Sequence, residues 1–158
     1  IKSPNSNYDR KNNTFNLKDT TIFLFKGNLK EYIITSDNAK ISNNKIVELN
    51  GNVSMNSLLE QENTLNADYF LWNINKSEYL LKDNVIYLSK KITLTSNKAI
   101  MNNTNNIIEF FKPVKYKMKT INDQNSFEIK SKNAYYNIDT ESLRFSSEDE
   151  RVRSKLYF

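Results

Sequence analysis

The chain has 158 residues with neither cysteine nor histidine, and 23 lysines and arginines against 18 acidic residues give it a formal net charge of +5. These absences exclude disulfides, thiolate or histidine metal sites and the histidine-dependent catalytic triads, so we expect no enzyme and no cofactor. A chain of this length is expected to bury about 70% of its extended surface, which is enough for one domain with a real core.

The charge and hydropathy also limit the partners. Arg10, Arg144, Arg151 and Arg153 are the only arginines. Arginine is the preferred bidentate partner of phosphate and guanine, so we expect no nucleic-acid partner. No stretch approaches the roughly 20 apolar residues of a membrane-spanning helix.

In chain order, the polar opening segment (1–14) is predicted to be a flexible lead-in that followed a removed anchor. Residues 15–158 are predicted to form a single domain. Within it, apolar and polar residues alternate, as at Tyr32, Ile34 and Ser36, which is typical of half-buried strands. Asparagine pairs mark the turns, because asparagine tolerates positive φ and the chain has only two glycines. The pattern predicts an almost entirely antiparallel β protein.

Similar segments recur along the chain. "IVELNGNV" (46–53), "YLLKDNV" (79–85) and "IIEFFKPV" (107–114) each contain an apolar strand, a polar break and a valine. Ala39, Ala67, Ala99 and Ala134 follow one another at separations of 28, 32 and 35 residues, and three of them have a serine three residues earlier. A period of about 30 residues indicates one supersecondary unit used several times. Four short units are too few for most propellers, so a rolled, jelly-roll-like sheet is preferred.

Strict alternation divides the side chains between two faces. It sends Tyr69 and Leu71 inward and Phe70 and Trp72 outward, where an exposed aromatic pair would indicate a sugar or partner surface. The inward face is rich in aromatic residues, and it is either an ordinary core or a trough for acyl chains. The residues predicted to line such a groove are Tyr32, Ile34, Val47, Leu49, Leu71, Leu81, Tyr87, Leu94, Phe110, Tyr116, Ile129, Tyr136 and Phe145.

The segments "FNLKDTTIFLFKGNLKEYIITSDNA" and "AKISNNKIVELNGNV", followed by "LNADYFLWNINKSEYLLKDNVIYLS", resemble the periplasmic domain of the LptC family, within the OstA-like superfamily. The resemblance covers about residues 15–145. It implies a twisted antiparallel β-jelly-roll, open along one side, that carries the acyl chains of lipopolysaccharide and is tethered to the inner membrane by an N-terminal segment.

The resemblance also implies partners and functional residues. An ATP-binding-cassette transporter of the LptB2FG type would deliver lipopolysaccharide near residues 20–35. An LptA-type bridge protein would receive it by edge-strand pairing at residues 141–153. The functional glycine of the family falls on Gly27, whereas a second, late glycine has no counterpart. Five lysines are candidates for a rim that meets sugar phosphates: Lys90, Lys91, Lys115, Lys117 and Lys119.

Two alternatives remain from the sequence. The chain is also similar to LptA-like soluble bridge proteins of the same superfamily. A structural or carbohydrate-binding β-sandwich is the alternative from a different class.

Overall fold

The computed structural model describes residues 1–43, 45–58, 63–118, 126–147 and 151–157, and its regular structure there is entirely β. The strands are β1 (Asn5–Asp9), β2 (Thr14–Lys26), β3 (Leu29–Ser42), β4 (Ile46–Ser57), β5 (Thr64–Asn73), β6 (Glu78–Leu88), β7 (Ile92–Asn102), β8 (Ile107–Met118), β9 (Ser126–Asn137), β10 (Ser142–Ser146) and β11 (Arg153–Tyr157).

The strands form one antiparallel sheet in sequence order from β1 to β10, and β11 pairs with β9 beside β10. The two ends of this order, β1 and β10, are not paired with each other. Residues 1–14, predicted to be a flexible lead-in, instead contain β1, which pairs with the start of β2, and a further bridge joins Lys2 to Thr21. The polar composition of this segment suits an edge strand, whose side chains are mostly exposed.

A line of β-bulges crosses the sheet from β3 to β9, and we call it the corner line. At each step along it from β4 to β9, two residues of an even-numbered strand oppose one residue of the neighbouring odd-numbered strand. Gly51–Asn52 oppose Asp68, Asp83–Asn84 oppose Asn97, and Lys112–Pro113 oppose Lys132. Such bulges bend strands and increase their twist, so aligned bulges roll the sheet.

The serine and alanine repeat belongs to this line. The hydroxyls of Ser36, Ser96 and Ser131 each donate a hydrogen bond to the backbone carbonyl two residues later, at 3.1, 2.9 and 2.9 Å. The alanine that follows each serine by three residues is buried at the bend. The repeat therefore encodes a corner: serine satisfies a carbonyl at the bulge, and alanine leaves room for the bent sheet.

The roll brings the inner faces of distant strands together. The rings of Tyr87 in β6 and Tyr136 in β9 lie 5.0 Å apart between centroids, although these strands are not neighbours in the sheet. Buried side chains from β2 to β9 form one hydrophobic core, in which Phe70 and Phe110 are the largest fully buried residues. The predicted twisted antiparallel jelly-roll is confirmed.

The predicted inward and outward assignment is wrong for part of β5. Phe70 is fully buried and Trp72 packs against the core, whereas Leu71 pairs with Glu48 and Leu80 on the outer face. The bulge moves the inward positions of β5 from Ala67 to Phe70, a step of three rather than two. Ala67 is thus equivalent to the serines of the repeat, and Phe70 to the alanines. The expected exposed Phe70 and Trp72 pair does not form.

Candidate functional site

The rolled sheet leaves a cavity of about 140 Å³ at one end, between the two halves of the chain. One side comes from the ends of β2, β4 and β6 and the beginnings of β3 and β5. The other side comes from the end of β7, the turn before β8, the beginning of β8 and the turn after β9. The lining residues are Lys26, Glu31, Tyr32, Met55, Ser57, Asn63, Thr64, Leu65, Tyr87, Met101, Asn106, Ile108, Ile138 and Asp139.

The cavity has an apolar interior and a polar opening. Met55, Leu65, Met101 and Ile108 are buried residues of its wall. Two of them are methionines, whose flexible thioether side chains adapt to the shape of a ligand. The opening carries Lys26, and its ammonium lies 3.8 Å from the Glu31 carboxylate. Asn63, Asn106 and Asp139 add polar groups, so the site has an amphipathic lining.

Tyr87 is the least exposed polar residue of the cavity lining, with only 2% of its surface exposed. Its buried hydroxyl lies beside the hydroxyl of Tyr136. Burial raises the pKa of Tyr87, and the nearby Tyr136 hydroxyl raises this pKa further. The phenol is therefore neutral at physiological pH and keeps its proton for donation.

Three exposed apolar side chains stand next to the opening. Phe25, Leu29 and Leu58 are 57, 63 and 49% exposed, and we call them the collar. The Leu58 amide donates to the carbonyl of Glu31 at 2.9 Å, which ties the third member to the cavity lining. Gly27, at φ +60° in the two-residue turn between β2 and β3, sets the position of the first two. Apolar residues that remain exposed beside a cavity are typical of an interaction site.

Most of the predicted groove residues form a closed core. Ile34, Leu49, Leu81, Leu94 and Phe110 have no exposed surface. Val47, Tyr116, Ile129 and Tyr136 are also buried, and Phe145 packs against the core from its edge. Of the predicted set, Tyr32 and Tyr87 line the cavity, and Leu71 lies on the opposite face.

The predicted lysine rim does not border this cavity. Lys91 pairs with Glu141 at 2.8 Å on the surface. Lys90, Lys115 and Lys117 are exposed, and none of them lines the opening. Lys119 lies outside the described residues.

The lysine at the opening is Lys26, which the sequence analysis missed. Its place directly before Gly27, in the segment that resembles the family most clearly, was the available signal. The other missed wall residues, Met55 and Met101, gave no such signal, because methionine in an alternating strand is normally core.

The edge predicted to receive a bridge protein has two short strands. β10 pairs with the second half of β9 and β11 with its first half, so both cover the same side of β9. Residues 148–150 of the predicted 141–153 region lie outside the described residues. Among the described residues, β10 and β11 each pair only with β9, so the outer edge of each strand has no strand partner.

The described residues show neither a cluster of metal ligands nor a helix that could span a membrane. None of their Asp, Glu, His or Cys side chains group in threes as a metal site requires. No helix in the described ranges is long and apolar enough to cross a membrane.

Comparison with known proteins gives a match to a family model and a similar solved structure. Residues 1–78 match the family model described as "Lipopolysaccharide-assembly, LptC-related", in agreement with the predicted resemblance. The chain is similar to the crystal structure of LptH, the LptA homologous periplasmic component of the conserved lipopolysaccharide transport device from Pseudomonas aeruginosa. The TM-score is 0.59 at 11% identity, and the alignment covers 80% of this chain and 94% of that one, which shows a shared fold. A search of curated proteins gives no match.

Proposed function

From the match of residues 1–78 to the LptC-related family model, we propose that this protein carries lipopolysaccharide in the periplasm. It accepts the lipid from an inner-membrane ATP-binding-cassette transporter and passes it to an LptA-type bridge protein, without catalysing a reaction. The resemblance also implies a tether to the inner membrane, which would hold the domain beside the transporter.

The observation that carries this proposal is the amphipathic cavity. Its apolar wall suits part of an acyl chain, and its polar opening suits the head group to which that chain is attached. Each buried CH₂ group contributes about 0.8 kcal/mol, so a short length of chain gains a few kcal/mol. This modest gain agrees with the requirement that a carrier release its cargo.

The closed core limits how much of the lipid can enter the protein. The cavity is much smaller than a whole acyl chain, and beyond it the inner faces pack against each other. Longer insertion therefore requires the two halves of the sandwich to separate. Strands β1 and β10 are not paired with each other, so the sheet does not close into a barrel. The two halves can therefore separate without breaking backbone hydrogen bonds between these two strands.

The collar supports the direction of transfer. Phe25 and Leu29 lie within the 20–35 region that the resemblance assigns to the transporter side, and they stand beside the opening. The LptA-type bridge protein would pair with the outer edges of β10 and β11, because an open strand edge presents unpaired N–H and C=O groups.

Photocrosslinking tests the proposal. A small diazirine amino acid is placed at Met101, which lines the cavity, and at its neighbour Ile100, which pairs with Glu109 on the outer face. A third probe at Leu49 reports on the closed core. The purified protein is then irradiated with lipopolysaccharide.

We expect a crosslink at Met101 and none at Ile100. A crosslink at Leu49 as well would indicate that the sandwich separates to admit a longer chain. Equal labelling at Met101 and Ile100, or labelling at neither, would contradict the proposed site.

A further inference from the structure

We propose that the outer face of β1 to β4 carries a second binding site, which takes an anionic oligosaccharide. The site is an open depression of about 450 Å³, and it lies at the opposite end of β2 and β3 from the cavity. It shares no lining residue with the cavity, so this inference goes beyond the proposed function and does not depend on it.

The lining is formed by amide and ammonium side chains from four neighbouring strands. The strand register arranges them in two adjacent rows across the sheet. One row consists of Asn5, Lys18, Asn38 and Asn50, and the other of Asn7, Asn16 and Lys40. All of these residues are exposed, whereas Leu17 and Ala39, which lie between the rows, are buried in the core. The rows therefore present polar groups at the strand spacing of about 4.8 Å, on the face away from the core.

The asparagines of these rows lack the structural reasons that explain other asparagines of the chain. Asn52, Asn84 and Asn106 have φ of 44, 50 and 51°, and their amides donate to carboxylates at 2.9, 2.6 and 2.8 Å. None of the asparagines in the two rows has a positive φ, and their side chains make no hydrogen bond to a described residue. Asparagine is depleted in strands, so its repetition at adjacent positions requires another reason. We infer that this reason is a ligand.

The chemistry of the lining selects the ligand. Each amide offers two N–H donors and a carbonyl acceptor, which match sugar hydroxyls that both donate and accept. The lining contains no acidic residue, and Lys18 and Lys40 take part in none of the ion pairs of the described residues. Glu48 is the strand neighbour of Lys40 but forms no ion pair with it. Two unpaired ammonium groups favour a sugar that carries phosphate or carboxylate groups.

The length of the first row favours an oligosaccharide over a single sugar. Beyond Asn50 the row continues to its register partner Tyr69, whose half-buried ring has the ammonium of Lys82 at 5.6 Å from its centroid. From Asn5 to Tyr69 the row crosses four strand spacings, which is roughly 19 Å. The ring adds an apolar surface with a polar tip at the end of the row.

The test titrates two soluble anionic oligosaccharides into the full chain. One is the phosphorylated core oligosaccharide released from lipopolysaccharide by mild acid, and the other is a preparation of peptidoglycan strands that are not cross-linked, whose charge is carboxylate. The dephosphorylated core oligosaccharide is the control for charge. Binding is followed by NMR chemical shifts of the asparagine side-chain amides.

Three variants are titrated in the same way. Asn16→Val combined with Asn38→Val removes one amide from each row, and Lys18→Gln removes one ammonium group. Asn97→Val is the matched control, because Asn97 is also an exposed strand asparagine without positive φ but does not line the site. Circular dichroism and urea unfolding should show every variant folded, since valine suits a strand better than asparagine.

We expect at least one of the two anionic oligosaccharides to shift the amide signals of the rows, and the one that does so identifies the source of the ligand. The double asparagine variant should bind it about tenfold more weakly and Lys18→Gln about threefold more weakly, whereas Asn97→Val should bind like the wild-type chain.

Three results would overturn the inference. They are the absence of shifts with both oligosaccharides, equal binding by the double variant and the wild-type chain, and equal binding of the phosphorylated and dephosphorylated core oligosaccharides. The lipopolysaccharide crosslink at Met101 is measured separately at the cavity, so failure of this inference is distinguishable from failure of the proposed function.

Discussion

The corner line and the cavity are the two special regions of this sheet, and they are built in opposite ways. Residues of the corner line satisfy one another: serine hydroxyls meet carbonyls, and the Asn52 and Asn84 amides donate to the carboxylates of Asp37 and Asp68 at 2.9 and 2.6 Å. At the cavity, the apolar side chains of the collar remain exposed. The difference indicates that the corner line maintains the fold, whereas the collar leaves apolar surface for the lipid or partner of the proposed function.

This comparison has a simple consequence for variants. Changes along the corner line should reduce stability, because they remove contacts that already exist. Changes at the collar and in the cavity should leave stability nearly unchanged and affect binding. Four measurements test this division, from the largest expected effect on stability to the smallest.

Alkaline pH should have the largest effect, and it acts on tyrosines that are buried in the hydrophobic core. Burial raises the pKa of Tyr79 from 10.0 to about 12, and the pKa of Tyr87 is raised as well. Above about pH 10 the unfolded chain loses phenolic protons that the folded chain retains, so stability falls as pH rises from about 10 towards 12. Urea unfolding at a series of pH values measures this decline.

The same titration has an internal control. The Tyr79→Phe variant removes one of the tyrosines whose pKa is raised, so its stability should fall less steeply above pH 10 than that of the wild-type chain. If phenolate absorbance instead rises near pH 10 for every tyrosine while the protein stays folded, these side chains are accessible and the core is open.

The second measurement compares the two glycines, which both have positive φ. A Cβ at Gly51 in the corner line would approach the Asp37 carboxylate oxygen at 2.6 Å, whereas a Cβ at Gly27 beside the collar meets nothing within 4 Å. Gly27→Ala should cost about 1 kcal/mol from backbone strain alone, and Gly51→Ala about 2–3 kcal/mol. Thermal or urea unfolding gives both values.

A double variant separates the two contributions at Gly51. Asp37→Ala removes the carboxylate that the new Cβ would meet, so Gly51→Ala should cost less in that background, close to the cost at Gly27. Equal costs for the two single glycine variants would show that the close approach at the corner is unimportant.

Much of the corner line was predictable from the sequence, but the positions at which the bulges change the inward and outward directions of the side chains were not. The serine and alanine repeat indicated one unit used several times, and the structure gives that unit a bulge. The error arose in β5, where Ala67 occupies the place of a serine and Phe70 that of an alanine. Alternation assumes an unbroken strand, so a bulge without its serine signal reversed the predicted directions of Phe70, Leu71 and Trp72.

The cavity was predictable only in part. Tyr32 and Tyr87 were assigned inward by alternation, and Gly27 was identified through the family resemblance. The approach of the turn at Gly27 to Ile108 and Asp139, more than 80 residues away along the chain, depends on how far the sheet rolls. Strand patterns give the direction of each side chain but not the separation of two inner faces, so they left open whether the inner face is a core or a trough; the structure has a core with a short cavity at one end.

The third measurement returns to the corner line at the serine positions. Ser96→Ala removes the hydrogen bond from its hydroxyl to the Lys98 carbonyl, which should cost about 1 kcal/mol. Ser36→Ala should cost a similar amount at its own corner, and the two losses should add because the corners are separate. The exposed Ser142→Ala is a matched control expected to change little. If neither corner variant is less stable than this control, the serines have no structural role in the bulges.

The smallest effect on stability is expected at the collar. There, a change in lipid binding without a change in stability would distinguish the collar most clearly from the corner line. Leu29→Ser removes an apolar side chain that is 63% exposed, so stability should change by less than about 0.5 kcal/mol. Lipopolysaccharide crosslinking at Met101 should nevertheless fall if lipid enters past the collar. Ile74→Ser, at another turn and 44% exposed, is the matched control that should leave crosslinking unchanged.

The combined result separates entry from binding. If Leu29→Ser slows crosslinking but reaches the same final yield, the collar guides lipid to the opening without holding it. If rate and yield both fall, the collar is part of the bound state, and the site extends beyond the cavity to the exposed turn. An unchanged rate and yield would assign the exposure of Phe25, Leu29 and Leu58 to contact with a protein partner instead, because lipid would then reach the cavity without touching them.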